Sequence, residues 1–400
     1  MTASLLARRR FRLVWLVWLA IFLDTLLFTG VLPLLPSLGE SECLSDGGLG
    51  IILAAYSFSG LFLCLPFGLA SDCWRPRPIL IFGIIGVAMG GLIISLAPTP
   101  WGIGVGRFMQ GMSSAALWTS GMAIASQQAG PGKRAQAIGQ IYSAASAGEL
   151  AGPLLSGFLF ERTGITTFFR LVAILGAALA AGAILISKGQ VPGERREWPG
   201  SVEMQGGRDW ALWGNAGLFL IIISIFSMML LFSPLLMFRR FAFGPAAIGL
   251  ALMGWNLAVF GSQILGGRWA DRAGGRLPLM AGLAATGAGL AGLAVAQTAW
   301  QFLPALYLVG GGAAITATVV TAQFSTAWER RKPAGTGLGA AFGASNTVWS
   351  LGFLIGNGIG GWLVTVVPVE TVLWGLGALL VPFVVVAAAY PLLRRGVRSA

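Results

Sequence analysis

The 400-residue sequence contains no histidine. That excludes histidine proton relays, mixed Cys/His zinc sites and Ser-His-Asp catalysis. Charge is scarce as well: 10% of residues are charged, against about 25% in a soluble protein. With 56% apolar residues and a mean hydropathy of +0.81, the chain needs lipid around it. Only three cysteines occur, Cys43, Cys64 and Cys73, and their spacing suits no metal, so they read as small apolar fillers. No cofactor is implied. The fourteen carboxylates are few enough to be placed one by one.

What the chain has in quantity is apolar runs of the length that crosses about 30 Å of hydrocarbon. Twelve are expected. Six cover 13–36, 48–70, 78–97, 102–127, 137–160 and 166–187; six more cover 211–237, 245–267, 277–297, 301–323, 337–363 and 371–392. The first is too long for a removable signal peptide and lacks a convincing cleavage site. The polar stretch 188–210, rich in Pro, Gly and mixed charge, reads as a linker. It divides the chain into two bundles, 1–187 and 211–400.

Lys and Arg fall in alternate loops: 21 of the 26 lie on the side of the N-terminus. The positive-inside rule puts both termini in the cytosol and demands an even number of spans. The net charge of +12 follows from this asymmetry. The basic residues form no continuous patch, which argues against nucleic acid as a partner. Low Lys with high Ala, Gly and Arg points to a bacterial inner membrane, with an organelle membrane as the alternative.

A glycine pattern occurs twice. Gly139, Gly148, Gly152, Pro153, Ser156 and Gly157 are matched by Gly343, Gly352, Gly356, Asn357, Gly360 and Gly361, with a constant offset of 204. G-L-A-S-D at 68–72 is matched by G-R-W-A-D at 267–271, offset 199. The chain is a duplicated unit, the usual build of a carrier that rocks one half against the other. Small residues every fourth position let helices approach closely. A matched row in each half suggests symmetric interfaces between the halves, and Pro153 adds a kink.

Placing the carboxylates leaves two inside spans: Asp24 in the first and Glu149 in the fifth. An ionised carboxylate at the bilayer centre costs at least ~2.5 kcal/mol, so such residues face a cavity or a partner. Either acid could carry protons; Glu149, between two glycines, could instead brace a helix interface. Arg107 is the one basic residue well inside a span and needs a carboxylate or carbonyl partner. Protonation of an acid paired with it would weaken the pair and link proton binding to movement. The matching position in the second half is Tyr307. At the span ends, Asp271 is placed to meet Arg272 or Arg276 across a turn made by Gly274 and Gly275, either as a latch that gates the inner side or as a constitutive turn. Asp72 and Arg77 hold the equivalent place in the first half.

These residues resemble the major facilitator superfamily over the whole chain. The G-x3-D loop motif occurs twice; the second copy is close to the family pattern, and the first keeps only Gly68, Asp72 and Arg77. R-F-x-Q-G at Arg107, Gln110 and Gly111 resembles the helix 4 motif linked to proton coupling. The glycine pattern ending in Gly152-Pro153 resembles the antiporter signature of helix 5. L-D-T-L-L-F-T-G-V-L-P-L-L-P at 23–36 looks like helix 1 of the drug/proton antiporters, which include tetracycline exporters and vesicular amine transporters, and Asp24 falls on their helix 1 acid. The second-half spans hold no acid of the kind vesicular amine carriers use.

The resemblance implies an all-α membrane protein of twelve helices in two six-helix bundles. It implies proton-coupled export of a small lipophilic cation by a monomer. Spans 1, 4, 7 and 10 should line a cavity, with Asp24, Thr25, Arg107, Gln110, Ser114, Trp118, Ser224, Met228 and Tyr307 as lining candidates. Gly148, Gly152, Pro153, Gly352 and Gly356 are expected at helix interfaces. The alternative is a carrier of a sugar or metabolite anion, which Arg107 could bind directly. A scaffold, a channel and an intramembrane enzyme fit less well.

Overall fold

In hydrocarbon every backbone polar group needs an internal partner, and a helix supplies one within a single segment. The computed structural model describes residues 2–73, 76–128, 134–187, 210–329 and 338–398, and among them there is no strand. The expected linker 188–210 lies outside the described residues, apart from Trp210 at the start of a helix. Twelve helical segments follow one another. In the first half they are α1 (Thr2–Gly30), α2 (Asp46–Cys73), α3 (Pro76–Leu96), α4 (Pro100–Gln128), α5 (Arg134–Thr163) and α6 (Ile165–Ser187). In the second they are α7 (Trp210–Phe241), α8 (Pro245–Ala273), α9 (Arg276–Val295), α10 (Ala299–Glu329), α11 (Leu338–Leu354) and α12 (Val369–Arg398). A 3-10 turn at Leu32–Leu34 and a short helix at Leu35–Ser41 prolong α1. A π turn at Ile355–Ile359 and a helix at Gly360–Val366 prolong α11.

Proline starts α3, α4 and α8, where its missing N–H costs nothing. Gly274, at φ +75°, turns the chain between α8 and α9 in a conformation that suits only glycine well. Among the described residues nine helices are long and apolar enough to cross a membrane. The helices α4 and α5, which carry Arg107, Gln110 and Glu149, are not among them. The α12 segment Val369–Val385 counts as a shorter apolar helix.

Packing follows the duplication. In the first half α1 lies on α5; in the second α7 lies on α11. Gly148 and Gly152 make the first contact, where a Cβ would run into Thr25, Phe22, Thr29 and Leu26 of α1. Gly352 and Gly356 make the second, against Ile223, Ser224 and Ser227 of α7. The partners keep a common offset: Thr25 and Ile223, Thr29 and Ser227, are each 198 positions apart. The expectation that these glycine rows join the halves therefore fails. Their small faces turn to α1 and α7, inside each half.

Further members of the same repeated pattern, with glycines of α2 and α8, make the junction between halves. Along α2 and α11, Gly50 meets Asn357 and Gly361, and Gly68 meets Gly339 and Gly343. Along α5 and α8, Gly157 meets Pro245 and Gly249 meets Pro153.

Candidate functional site

The mid-helix residues of α1, α2 and α4 converge on Asp24, which is 1% exposed. Ser114 of α4 donates to Asp24 Oδ2 at 2.7 Å. Tyr56 of α2 donates to Ser114 Oγ at 2.7 Å. Gln110 Nε2 donates to the Asp24 backbone carbonyl at 3.0 Å, and the Gln110 and Trp118 side chains lie beside the carboxylate. Asp24 Oδ1 is buried and has no hydrogen-bond partner.

Arg107, 2% exposed, is held without an acid. The ion pairs among the described residues are Arg239–Asp46 and Arg240–Glu370, and neither includes it. Its Nη1 donates to the Phe28 carbonyl at 3.1 Å and to Gln110 Oε1 at 2.8 Å. Its Nε is buried without a partner. The guanidinium carbon lies 4.9 Å from the Phe28 ring centre and 5.0 Å from that of Tyr56. Such contacts are worth about 0.5–2 kcal/mol, the upper end when desolvated. Gln110 joins the two residues, since it accepts from Arg107 and donates to the Asp24 backbone carbonyl.

An aromatic cluster extends from this centre into the second half. Phe28 and Tyr56 lie 6.0 and 6.2 Å from Trp349 of α11, which stacks on Phe353 at 3.8 Å. Phe226 of α7 then reaches Trp255 of α8. Trp255 is 1% exposed and its Nε1 has no partner.

The expected lining residues divide into two groups. Asp24, Arg107, Gln110, Ser114 and Trp118 come together. Thr25 instead faces α5, donating to the Ala145 carbonyl at 3.0 Å. Ser224 bonds back to Leu220, and Met228 packs on Gly360 of α11. Tyr307 places its hydroxyl near Gly254 of α8. Tyr56, Phe28, Trp349, Phe353 and Trp255 were not expected from the sequence, and only their aromatic character could have suggested them. At the 198 offset Asp24 corresponds to Ile222, which is fully buried, so the ionisable site occurs in one half only.

The carboxylate of Glu149 makes none of the hydrogen bonds or ion pairs seen among the described residues. Its backbone carbonyl does, accepting from Asn256 Nδ2 of α8 at 2.8 Å and from Thr29 Oγ1 at 3.4 Å.

Near the ends of the helices, Asp72 accepts from the backbone N–H groups of Gly339 and Ala340 at 2.9 and 2.8 Å, capping the start of α11. Asp271, its counterpart, is exposed with Arg272 and Arg276 at the α8–α9 turn, and bonds to nothing among the described residues. Arg77 is half-buried at the start of α3. On the opposite face Arg239 grips Asp46 through two bonds of 2.8 and 2.6 Å. There Glu161 at the end of α5 accepts from Ala246 N of α8 at 2.9 Å.

The family model of the Major Facilitator Superfamily matches residues 17–338 and 214–400. The chain belongs to this superfamily of membrane transporters. It is 27% identical over 304 residues to the class G tetracycline resistance protein of Vibrio anguillarum, covering 74% of this chain and 77% of that one. It is 30% identical over 178 residues to the MFS-type transporter ppzB of the fungus Metarhizium rileyi, covering 43% of this chain and 37% of that protein. The chain thus spans little more than a third of the fungal relative and about three quarters of the bacterial one. Among solved structures, the human organic anion transporter MFSD10 (TETRAN) is similar, with a TM-score of 0.72 at 18% identity, covering 94% of this chain and 99% of that one. A bacterial homologue of the lysosomal transporter Spinster reaches 0.72 at 14% identity, covering 96% and 97%. At these identities the likeness is one of fold. The chain is a multi-pass membrane protein of this superfamily.

Proposed function

We propose that the protein exports a small lipophilic cation in exchange for protons, by rocking residues 1–187 against 211–400 about the central site. The observation that carries this is the state of Asp24: buried between helices, bonded through one oxygen, free at the other, and not ion-paired with the nearby Arg107. A buried carboxyl with one open oxygen suits a proton or a cation in turn, and low dielectric penalises leaving it charged and empty. Arg107 is less available to an anion. The rings of Phe28 and Tyr56 lie against it, and a carbonyl and an amide take up Nη1. The tetracycline resistance proteins among the relatives fit an exporter of a drug-like molecule.

Both termini are proposed to lie in the cytosol of a bacterial cell, from the distribution of Lys and Arg. Asp72 would then hold α2 to α11 on the inner side, and Arg239–Asp46 would close the outer side.

The test is proton release from the purified protein in detergent near pH 7 as a panel of lipophilic cations is added. Wild type should release protons with at least one cation, and Asp24→Asn with none. Cation-dependent release that persists in Asp24→Asn would overturn the assignment.

A further inference from the structure

One hydroxyl on α4 is oriented unlike its neighbours. Ser113, Thr119 and Ser120 each donate to the carbonyl four residues back, at 2.6, 2.7 and 2.5 Å. That is the default for a hydroxyl inside a helix. Ser114 has the same option at the Gln110 carbonyl, yet it donates to Asp24 Oδ2. A hydroxyl has one proton to give, so the two bonds exclude each other. What distinguishes Ser114 is the Tyr56 hydroxyl, which donates to its oxygen from α2. That bond fixes the rotamer, and polarisation along the Tyr–Ser–Asp chain strengthens each link.

We propose that Tyr56 is a positioning residue of the proton site. It holds Ser114 on Asp24 Oδ2, so that one carboxylate oxygen is always occupied and Oδ1 takes the proton. The inference rests on the reading of Asp24 as the site of proton exchange. Tyr56 also lies against Arg107 and, at 6.2 Å, against Trp349 of α11. A change at Asp24 therefore reaches the other charge and the second half through one side chain. Arg107 and Tyr56 are the ionisable side chains beside Asp24. From α5, the helix packed on α1, the titratable groups on this side are Tyr142, whose ring lies against Trp118, and Glu149.

The experiment is infrared difference spectroscopy of the full chain in lipid, between high and low pH, in a Glu149→Gln background. The carboxylic C=O band that Asp24→Asn removes belongs to Asp24. In Tyr56→Phe, which keeps the ring over Arg107, this band should move to higher wavenumber because Oδ2 loses its donor. Ser114→Ala should give the same shift, and the double variant should add nothing further. A band at the wild-type position in Tyr56→Phe would overturn the role of Tyr56 while leaving Asp24 as the proton site. If Asp24→Asn removes no band, the proton-site reading fails and this inference falls with it.

Discussion

Asn256 of α8 donates its side-chain amide to the backbone carbonyl of Glu149 in α5, across the junction of the two halves. The reason lies four residues along. Position 153 is proline, so the Glu149 carbonyl has no N–H at its usual partner. A bare carbonyl in the membrane interior is costly. Thr29 from α1 and Asn256 from α8 supply the missing donors. Leaving a buried acceptor unsatisfied costs about 1–3 kcal/mol. Asn256→Ala should therefore lower the free energy of unfolding in mixed micelles toward that range, less whatever Thr29 still supplies. In a Pro153→Ala background α5 regains its own N–H, and the same substitution should cost much less. Equal costs in both backgrounds would show that the carbonyl is not what Asn256 serves.

The Arg239–Asp46 pair also joins the halves, and its effect should be small. It is bidentate, but Arg239 is 53% exposed. Exposed pairs contribute about 0.2–1 kcal/mol and weaken with salt. A double-mutant cycle with Asp46→Ala and Arg239→Ala should give a coupling in that range that shrinks at high ionic strength. A salt-independent coupling of several kcal/mol would mean that the pair is far less hydrated than its exposure indicates.

Much of this was legible in the sequence, and the failures have a geometric cause. The duplication, the spans and the isolated charges Asp24 and Arg107 could be read directly, because a charge in an apolar run and a repeated offset are local signals. Helix α4 supplies Gln110, Ser114 and Trp118, which lie four residues apart along one face. Thr25 adjoins Asp24 yet turns to α5, because adjacent residues point about 100° apart on a helix of 3.6 residues per turn. One faces α4, the other α5. The glycine rows were correctly periodic, but periodicity does not say which neighbour a face meets. Tyr56 and Trp349 lie away from any polar motif of their helices, and only the packing of α2 on α4 and α11 brings them to the site.

The corrected location of the glycine rows can be tested against a control in the same helix. A Cβ on Gly152 would collide with Thr29 and Leu26 of α1, whereas one on Gly139 meets nothing within 4 Å. Overpacking typically costs about 1–3 kcal/mol. Gly152→Ala should destabilise by that order, and Gly139→Ala should be neutral or slightly stabilising, since alanine favours the helix by about 1 kcal/mol. Gly356→Ala, against Ser224 and Ser227 of α7, should behave like Gly152→Ala. Indifference at both packed sites would refute close contact within each half.

Arg107 separates charge from shape. Lysine would keep the positive charge, but it is a point charge without a planar fork. It could not lie flat against the rings of both Phe28 and Tyr56 while donating to both the Phe28 carbonyl and Gln110. If charge alone balances Asp24, Arg107→Lys should transport normally. If the held plane matters, the variant loses ring contacts worth about 0.5–2 kcal/mol, or roughly 2- to 30-fold in an equilibrium constant. The structure favours the second outcome, because Gln110 is fixed by Arg107 at one end and by the Asp24 carbonyl at the other. Uptake of a fluorescent lipophilic cation into inverted vesicles should fall within that range for Arg107→Lys, and to background for Arg107→Gln, which leaves Asp24 with no positive charge beside it. Wild-type uptake by Arg107→Lys would reduce the residue to a counter-charge.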